Sequence, residues 1–148
     1  MEIKTQYFGT VSYSENEMIY FPEGLYGFAN LKKYVPLTFQ ENSDGLISLQ
    51  SIENEKISFI IMNPFHLYSD YNPVLSEEDK VHLNASTCED NVSYYVICVI
   101  QDSMENSTVN LKSPIAVNTE SREARQVILE NPLYQFRHPL RDFIKREK

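Results

Sequence analysis

The chain has 148 residues, of which 42% are hydrophobic and 12% are aromatic, and its net charge at pH 7 is −8. This composition excludes an intrinsically disordered chain, and the length predicts a single domain that spans residues 1–148. The acidic charge is concentrated in the body, because the residues up to Phe136 include 8 basic and 19 acidic side chains, a balance of −11.

The acidic body restricts the kinds of partner that the chain can bind. Affinity for nucleic acid depends largely on cationic side chains that displace condensed counterions, so direct binding of RNA or DNA is disfavoured. A basic protein partner would be attracted by such a surface. The same charge is also typical of a protein that only needs to stay soluble, and this alternative stays open.

Neither a membrane span nor a secretory signal is predicted. The longest uninterrupted apolar run, residues 94–100, has seven residues, whereas a transmembrane helix needs ~18 or more. The first ten residues lack the apolar core of a signal peptide. Cys98 lies inside that apolar run and Cys88 is the only other cysteine, so we expect a small buried side chain rather than a disulfide framework. These features predict a cytoplasmic protein without membrane contact.

Most of the predicted elements are short strands rich in β-branched and aromatic residues. In chain order, strands are predicted at residues 6–11, 18–21, 35–39, 46–52, 57–62, 93–101, 108–111, 115–118 and 126–130. We expect the first two strands to pair as a hairpin, and the fourth and fifth to form another. Because residues 93–101 are apolar at odd and even positions alike, that strand should be buried on both faces.

Loops and helical turns complete the predicted architecture. Residues 21–28 combine a proline and two glycines with large apolar residues, which predicts an ordered, buried loop. Residues 31–34 are expected to form a helical turn, Ser76 with Asp79 predicts a capped helix over residues 77–83, and Pro139 predicts the start of a C-terminal helix. The expected fold is mainly all-β: a small antiparallel β-barrel-like domain with one or two short helical turns and a C-terminal helical segment.

Patterns that would support catalysis or metal binding are weak. His66, His82 and His138 are scattered, and no pair has the spacing with which a zinc-protease helix presents two ligands. The acidic run at residues 77–79 suggests general acid and base work, but at a helix start it is more simply a favourable interaction with the helix dipole. We therefore expect no enzyme activity, no metal and no cofactor.

An aromatic segment is the clearest candidate for binding. Phe65, Tyr68 and Tyr71 occur at three-residue spacing between two prolines, and tyrosine offers a large contact area with few rotatable bonds. These rings either form a platform for a partner or cap one end of the barrel, and both interpretations stay open. The basic tail, residues 137–148, is either a solvated helix face or a contact for an acidic partner.

Five segments, spaced in order along nearly the whole chain, carry a family resemblance. They are IYFPEGLYGF (19–28), FIIMNPF (59–65), STVNLKSPIAVN (107–118), RQVIL (125–129) and YQFRHPL (134–140). Together they resemble the family of the flagellar assembly factor FliW. Ser113 stands where this family commonly has alanine, and Tyr26 where it commonly has proline. The motif residues that the resemblance marks as structural are Phe21, Pro22, Gly24, Leu25, Gly27, Phe28, Asn63, Pro64, Asn110, Leu111, Pro114, Asn118 and Gln126.

The resemblance implies a non-enzymatic regulator with two protein partners. Members of this family bind flagellin in the cytoplasm and also bind CsrA, the translational repressor that acts on flagellin messenger RNA. While flagellin is abundant it occupies the regulator, and after flagellin is exported the regulator captures CsrA. The resemblance therefore implies that flagellin synthesis is coupled to flagellin export.

The motif segment at residues 110–129 is expected to be structural. Asn110 and Asn118 should bond local backbone at strand ends, and residues 120–125 should face solvent. Partner contact is expected elsewhere, on acidic side chains near the aromatic segment and the strand edges. The expected contact residues are Phe65, Tyr68, Asp70, Tyr71, Glu77, Glu78, Glu89 and Asp90.

Two other functional classes compete with this interpretation. A small β-barrel with exposed aromatic rings is also typical of OB-like proteins that bind single-stranded nucleic acid or oligosaccharide by stacking. A metal-dependent enzyme is the weaker alternative.

Overall fold

Most of the regular secondary structure consists of short antiparallel strands. The computed structural model describes residues 1–38, 46–83, 91–101 and 106–144. Within these ranges, the strands are β1 (Glu2–Lys4), β2 (Thr10–Ser12), β3 (Ile19–Tyr20), β4 (Lys33–Thr38), β5 (Ile47–Ser51), β6 (Ser58–Met62), β7 (Val92–Val99), β8 (Thr108–Val109), β9 (Ile115–Asn118), β10 (Ala124–Gln126) and β11 (His138–Pro139). The helices are a 3₁₀ turn (Glu15–Glu17), α1 (Pro64–Leu67), α2 (Glu77–His82) and α3 (Arg141–Ile144). The mainly all-β prediction is confirmed.

The main sheet curls into a barrel-like form. Its strands follow the order β10-β9-β7-β6-β5-β4-β3, and all neighbours along this path are antiparallel. The two ends of the path meet, since the Tyr20 N–H donates to the Arg122 carbonyl at 3.0 Å and Tyr20 forms a bridge with Glu123. One bridge, rather than a full ladder, joins the ends.

Strand β7 is shared between two parts of the sheet. Its first half, from Val92 to Tyr95, pairs with β9, and Cys98 and Val99 pair with β8. Strand β11 extends this branch by pairing with β8. Strand β7 therefore connects the curled sheet to β8 and β11, and β11 carries the C-terminal residues.

Two hydrophobic cores lie on opposite faces of the central strands. In β9, Ile115 and Val117 belong to the core inside the curled sheet, whereas Ala116 between them belongs to the second core. In β7, Ile97 packs on the inner core and Val96 lies in the second one. Alternate side chains of a strand point to opposite faces, so these strands are covered on both sides, as predicted for residues 93–101 as far as Cys98. Beyond Cys98 the prediction is wrong, since Val99 and Ile100 are 51% and 45% exposed.

Cys98 lies in the second core, where it is 4% exposed. Burial raises the pKa of its thiol to about 12. The side chain acts as the small buried hydrophobe that the sequence predicts. Cys88 lies outside the described residues.

The loop at residues 21–28 is ordered and turns sharply at Gly24. Phe21 and Leu25 are buried, and the Gly24 N–H donates to the Phe21 carbonyl at 2.9 Å. Gly24 has a φ of +70°, and a Cβ at this position would lie 2.6 Å from the Cα of Ala29. Only glycine fits, because the backbone conformation is left-handed and neighbouring backbone fills the space.

Two predictions for the first forty residues are wrong. The chain already reverses at residues 5–9, where the Thr5 N–H donates to the Gly9 carbonyl and Gly9 has a φ of +66°. Strand β2 therefore pairs with β1 and not with the strand that begins at Ile19. Residues 31–34 do not form a helical turn, since Tyr34 belongs to β4 and packs edge-on against Phe21 with ring centroids 5.3 Å apart.

Later elements agree with the prediction in part. The C-terminal helix begins at Arg141 and not at Pro139, because Pro139 pairs with Thr108 in strand β11, which was not predicted. Strand β10 ends at Gln126, where the predicted strand begins, and residues 127–129 continue as an extended segment that bonds the carbonyls of Pro114 and Lys112. Helix α2 covers most of the predicted residues 77–83. Helix α1 was not predicted; it forms because Asn63 caps it by accepting from the Phe65 N–H at 2.8 Å and Pro64 occupies its first position.

Replacing Gly24 by alanine should destabilise the protein by at least about 2 kcal/mol, since the new methyl group meets backbone atoms that cannot move away. Gly27→Ala is the matched control, because Gly27 also has a positive φ but a Cβ there meets nothing within 4 Å. The control should cost about 1 kcal/mol. Urea unfolding followed by circular dichroism measures both, and equal losses would contradict the steric argument.

Candidate partner-binding surface

Helix α2 presents two of its three acidic residues to solvent. Ser76 caps the helix, and its Oγ accepts from the Asp79 N–H at 3.1 Å. The side chains of Glu77 and Glu78 are 90% and 73% exposed, whereas that of Asp79 is only 12% exposed. The acidic run therefore divides into an outer pair that is available to a partner and an inner carboxylate that faces the protein.

Arg125 joins the inner carboxylate to two others. Its Nε–H donates to Asp79 Oδ1 at 2.8 Å, and its Nη1–H donates to Glu23 Oε2 at 2.6 Å. Its Nη2 lies 3.5 Å from Glu78 Oε2. His82 lies 3.7 Å from Glu23 and 3.9 Å from Glu78. Three carboxylates face the one guanidinium, and His82 can add at most one further positive charge, so this cluster keeps a net negative charge.

Asn118 positions helix α2 on the sheet. Its Nδ2 donates to the Leu83 carbonyl at 2.7 Å, just beyond the end of the helix. Its Oδ1 accepts from the backbone N–H groups of Glu120 and Ser121. Because Asn118 is only 6% exposed, these bonds are shielded from water and strongly favoured. The predicted backbone role of Asn118 is therefore observed, together with a second role in placing α2.

The aromatic segment does not form one platform. Phe65 is 39% exposed and Tyr68 is partly buried, but Tyr71 is only 3% exposed and belongs to the second core. The Tyr71 hydroxyl donates to the Leu111 carbonyl at 2.7 Å, and its ring lies 4.8 Å from that of Tyr134. The expectation that Tyr71 contacts a partner is therefore corrected, since its ring and its hydroxyl are both used inside the protein.

The acidic residues expected to contact a partner fall into two groups. Asp70, Glu77 and Glu78 are exposed on the surface. Glu89 and Asp90 lie outside the described residues. Five of the expected contact residues are therefore at least partly exposed in the described part of the chain: Phe65, Tyr68, Asp70, Glu77 and Glu78.

The expectation that residues 120–125 face solvent is wrong at its C-terminal end. Ala124 is 2% exposed, and the Arg125 side chain is 18% exposed because it lies within the carboxylate cluster. Sequence reasoning therefore missed Arg125, Glu23 and His82 as parts of the site. The available signal was Arg125 close to the apolar residues 127–129, because a cation beside buried positions needs an acidic partner.

A groove opens beside the N-terminal end of α2. It has a volume of about 290 Å³ and lies between residues 72–76 and residues 129–131. Leu75 and Leu129 are buried at 4% and 2% exposure, whereas Val74 is 67% exposed. Glu130 and Asn131 stand on the opposite wall and are exposed.

The three histidines do not converge on one site. His66 is exposed, and His82 lies beside Glu23 and Glu78. Burial lowers the pKa of His138, and its Nε2 accepts from the Gln135 N–H at 2.8 Å. Within the described residues, no group of three or more His, Cys, Asp or Glu side chains is arranged to hold a metal ion. No helix in these same ranges is long and apolar enough to cross a membrane.

Comparison with known proteins identifies the family. The model of the FliW protein family matches residues 2–140. This chain belongs to the FliW family. It is 36% identical over 145 residues to the flagellar assembly factor FliW of Caldanaerobacter subterraneus subspecies tengcongensis, covering 98% of this chain and 96% of the relative. It is 34% identical over 140 residues to the flagellar assembly factor FliW of Clostridium botulinum, covering 95% and 96%.

A solved structure agrees with the fold. The crystal structure of a flagellar assembly factor FliW superposes with a TM-score of 0.86 at 31% sequence identity, and the match covers 95% of this chain and 96% of the other. The barrel-like topology described above is therefore the fold of the FliW family.

Gln126, one of the FliW motif residues, contacts the loop at residues 21–28. The side chain of Gln126 accepts from the Tyr26 N–H at 2.9 Å and donates to the Ser113 carbonyl at 3.3 Å. Asn110 accepts from the Ser113 N–H at 2.9 Å. The Ser113 hydroxyl donates a buried hydrogen bond to the Val127 carbonyl at 2.7 Å. The motif thus ties the loop to the segment that precedes β9.

Replacing Arg125 by methionine should destabilise the protein by about 2 kcal/mol, because Asp79 keeps its charge in a poorly solvated place without its partner. Adding Asp79→Asn to this variant should recover part of the loss, since the unpaired charge is then removed. Arg137→Met, at an exposed position, is the control and should change the unfolding free energy by less than about 0.5 kcal/mol. Denaturant unfolding of the four proteins measures these differences, and a neutral Arg125→Met variant would refute the role given to this residue.

Proposed function

We propose that this chain is a non-enzymatic regulator of flagellar assembly that works in the cytoplasm by binding proteins. It binds flagellin and the translational repressor CsrA in turn, and it thereby couples flagellin synthesis to flagellin export. Membership of the FliW family supports the flagellar role, and the relatives are named as flagellar assembly factors. The proposal of flagellin and CsrA as partners rests on the resemblance described above.

The observation that carries the proposal is the exposed acidic cluster on α2. Glu77 and Glu78 are held outward by a capped helix. Together with Glu23 and Asp79 they are four carboxylates, and they outnumber the two cations paired with them, Arg125 and Lys80. CsrA must be cationic where it meets RNA, so this surface attracts it by charge complementarity. Such a field mainly raises the rate of association and excludes partners of the wrong charge.

The same features argue against a nucleic-acid partner. Proteins that bind single strands combine exposed rings with cationic side chains along the backbone path. Here Tyr71 is buried, and Asp70 stands exposed next to it on the chain. Phosphates would meet carboxylates at this surface, so binding of single-stranded nucleic acid is not favoured.

Reversing the charge of the outer pair should slow CsrA binding. Glu77→Lys with Glu78→Gln changes the net charge by three units and leaves the structural Asp79 in place. We expect the association rate at low salt to fall by about three- to tenfold, and the difference to shrink as salt rises. Stopped-flow or biolayer interferometry with purified CsrA measures this effect.

The matched control for that variant is Glu2→Lys with Glu55→Gln. It makes the same charge change at two exposed residues that have no ion pair within the described part of the chain. If the control slows CsrA as much as the α2 variant does, net charge alone is responsible and the surface assignment is wrong. A pull-down with all three proteins tests the partner switch: added flagellin should release CsrA, and stable capture of both partners with unchanged affinity contradicts it.

A further inference from the structure

The groove beside α2 has the size of a pocket for side chains rather than for a cofactor. Its volume of about 290 Å³ lies at the lower limit of the roughly 300–1,000 Å³ that is common for pockets enclosing small molecules. The buried side chains of Leu75 and Leu129 line it, and Val74, at 67% exposure, stands at its edge. An apolar side chain that enters this groove would cover Val74 and be removed from water.

The groove walls are fixed before any partner arrives. The Asn72 N–H donates to the Tyr134 hydroxyl oxygen at 2.8 Å. This hydrogen bond links the wall at residues 72–76 to the chain that follows the wall at residues 129–131. On that second side, Asn131 Oδ1 accepts from the Leu133 N–H at 2.9 Å. Binding to a preformed groove requires little ordering of the protein, so the entropic cost of binding is low. A small contact then contributes more to affinity than it would at a flexible surface.

The rim of the groove offers one acidic side chain to a partner. Glu130 lines the groove, is exposed, and forms no ion pair within the described residues. Ser76, also in the lining, is followed directly by Glu77, whose side chain is 90% exposed. Two lysines stand nearby, since Lys80 Nζ lies 3.8 Å from Glu77 Oε1 and Lys112 Nζ donates to the Asn131 carbonyl at 3.4 Å. Glu130 is the carboxylate of the lining that has no ion pair within the described residues, so a lysine or arginine of a partner would gain a favourable interaction with it.

We propose that this groove is a docking site for a peptide segment of a cationic protein partner. The segment places one apolar side chain against Val74, Leu75 and Leu129, and an adjacent lysine or arginine pairs with Glu130. This inference rests on the proposed function, under which the cationic partner is CsrA. It extends that function by assigning two roles to two surfaces. The acidic face of α2 attracts the partner, and the groove holds it.

Two single variants test the groove. Val74→Asp places a charge where the apolar side chain of the partner would lie, and Glu130→Lys reverses the rim charge. Both residues are exposed, so the fold should survive, as thermal unfolding and circular dichroism will check. We expect each variant to weaken the binding of purified CsrA at least tenfold by calorimetry and to leave the affinity for flagellin within threefold. The Glu130→Lys effect should shrink at high salt, whereas the Val74→Asp effect should persist.

The matched controls are Val99→Asp and Glu55→Lys. Val99 is 51% exposed near the end of β7, and Glu55 is exposed in the turn between β5 and β6. Both should bind CsrA within twofold of the wild type. If the groove variants also bind CsrA like the wild type, or if they lose flagellin and keep CsrA, the docking proposal is overturned while the proposed function stands. If the wild-type protein binds neither purified partner, the proposed function fails and the docking proposal fails with it.

Discussion

The burial of the central strands on both faces is the constraint on which the structure depends. Alternate side chains of β7 and β9 enter two different cores, so neither face of these strands can be left to water. One face is buried because the sheet curls around the inner core, so that Tyr20 bonds the Arg122 carbonyl. The outer face is covered by helix α2, the aromatic segment and the chain after β10.

The candidate binding surface is a consequence of this covering layer. Leu75 and Leu83 anchor the segment that carries α2 in the second core, and Asn118 bonds the chain just after the helix. The outer face of the helix then has to face solvent, and Glu77 and Glu78 occupy it. The groove arises where this layer meets the extended segment at residues 127–129, because two pieces of irregular chain cannot close over each other as tightly as paired strands.

Electrostatics divides the acidic residues of α2 by role. Asp79 is largely removed from water and is stabilised by Arg125, so its charge contributes to folding and not to attraction of a partner. Glu77 and Glu78 remain hydrated, and their charges act over distances close to the Debye length of about 10 Å at 0.1 M salt. Three consecutive carboxylates that look equivalent in sequence therefore act in different ways.

Local patterns determined much of this protein. The alternation and content of apolar residues predicted the all-β fold, the doubly buried β7, the capped helix at α2 and the turn at Gly24, because each depends on neighbouring residues and on conformational limits of single residues. Only the tertiary structure decided that β2 pairs with β1, that Tyr34 extends β4, that Tyr71 is buried and that Arg125 meets Asp79, 46 positions earlier in the chain. Those outcomes depend on which distant surfaces pack together. Packing is decided by shape and by the pairing of buried charges across the whole fold, and no short stretch of sequence contains that information.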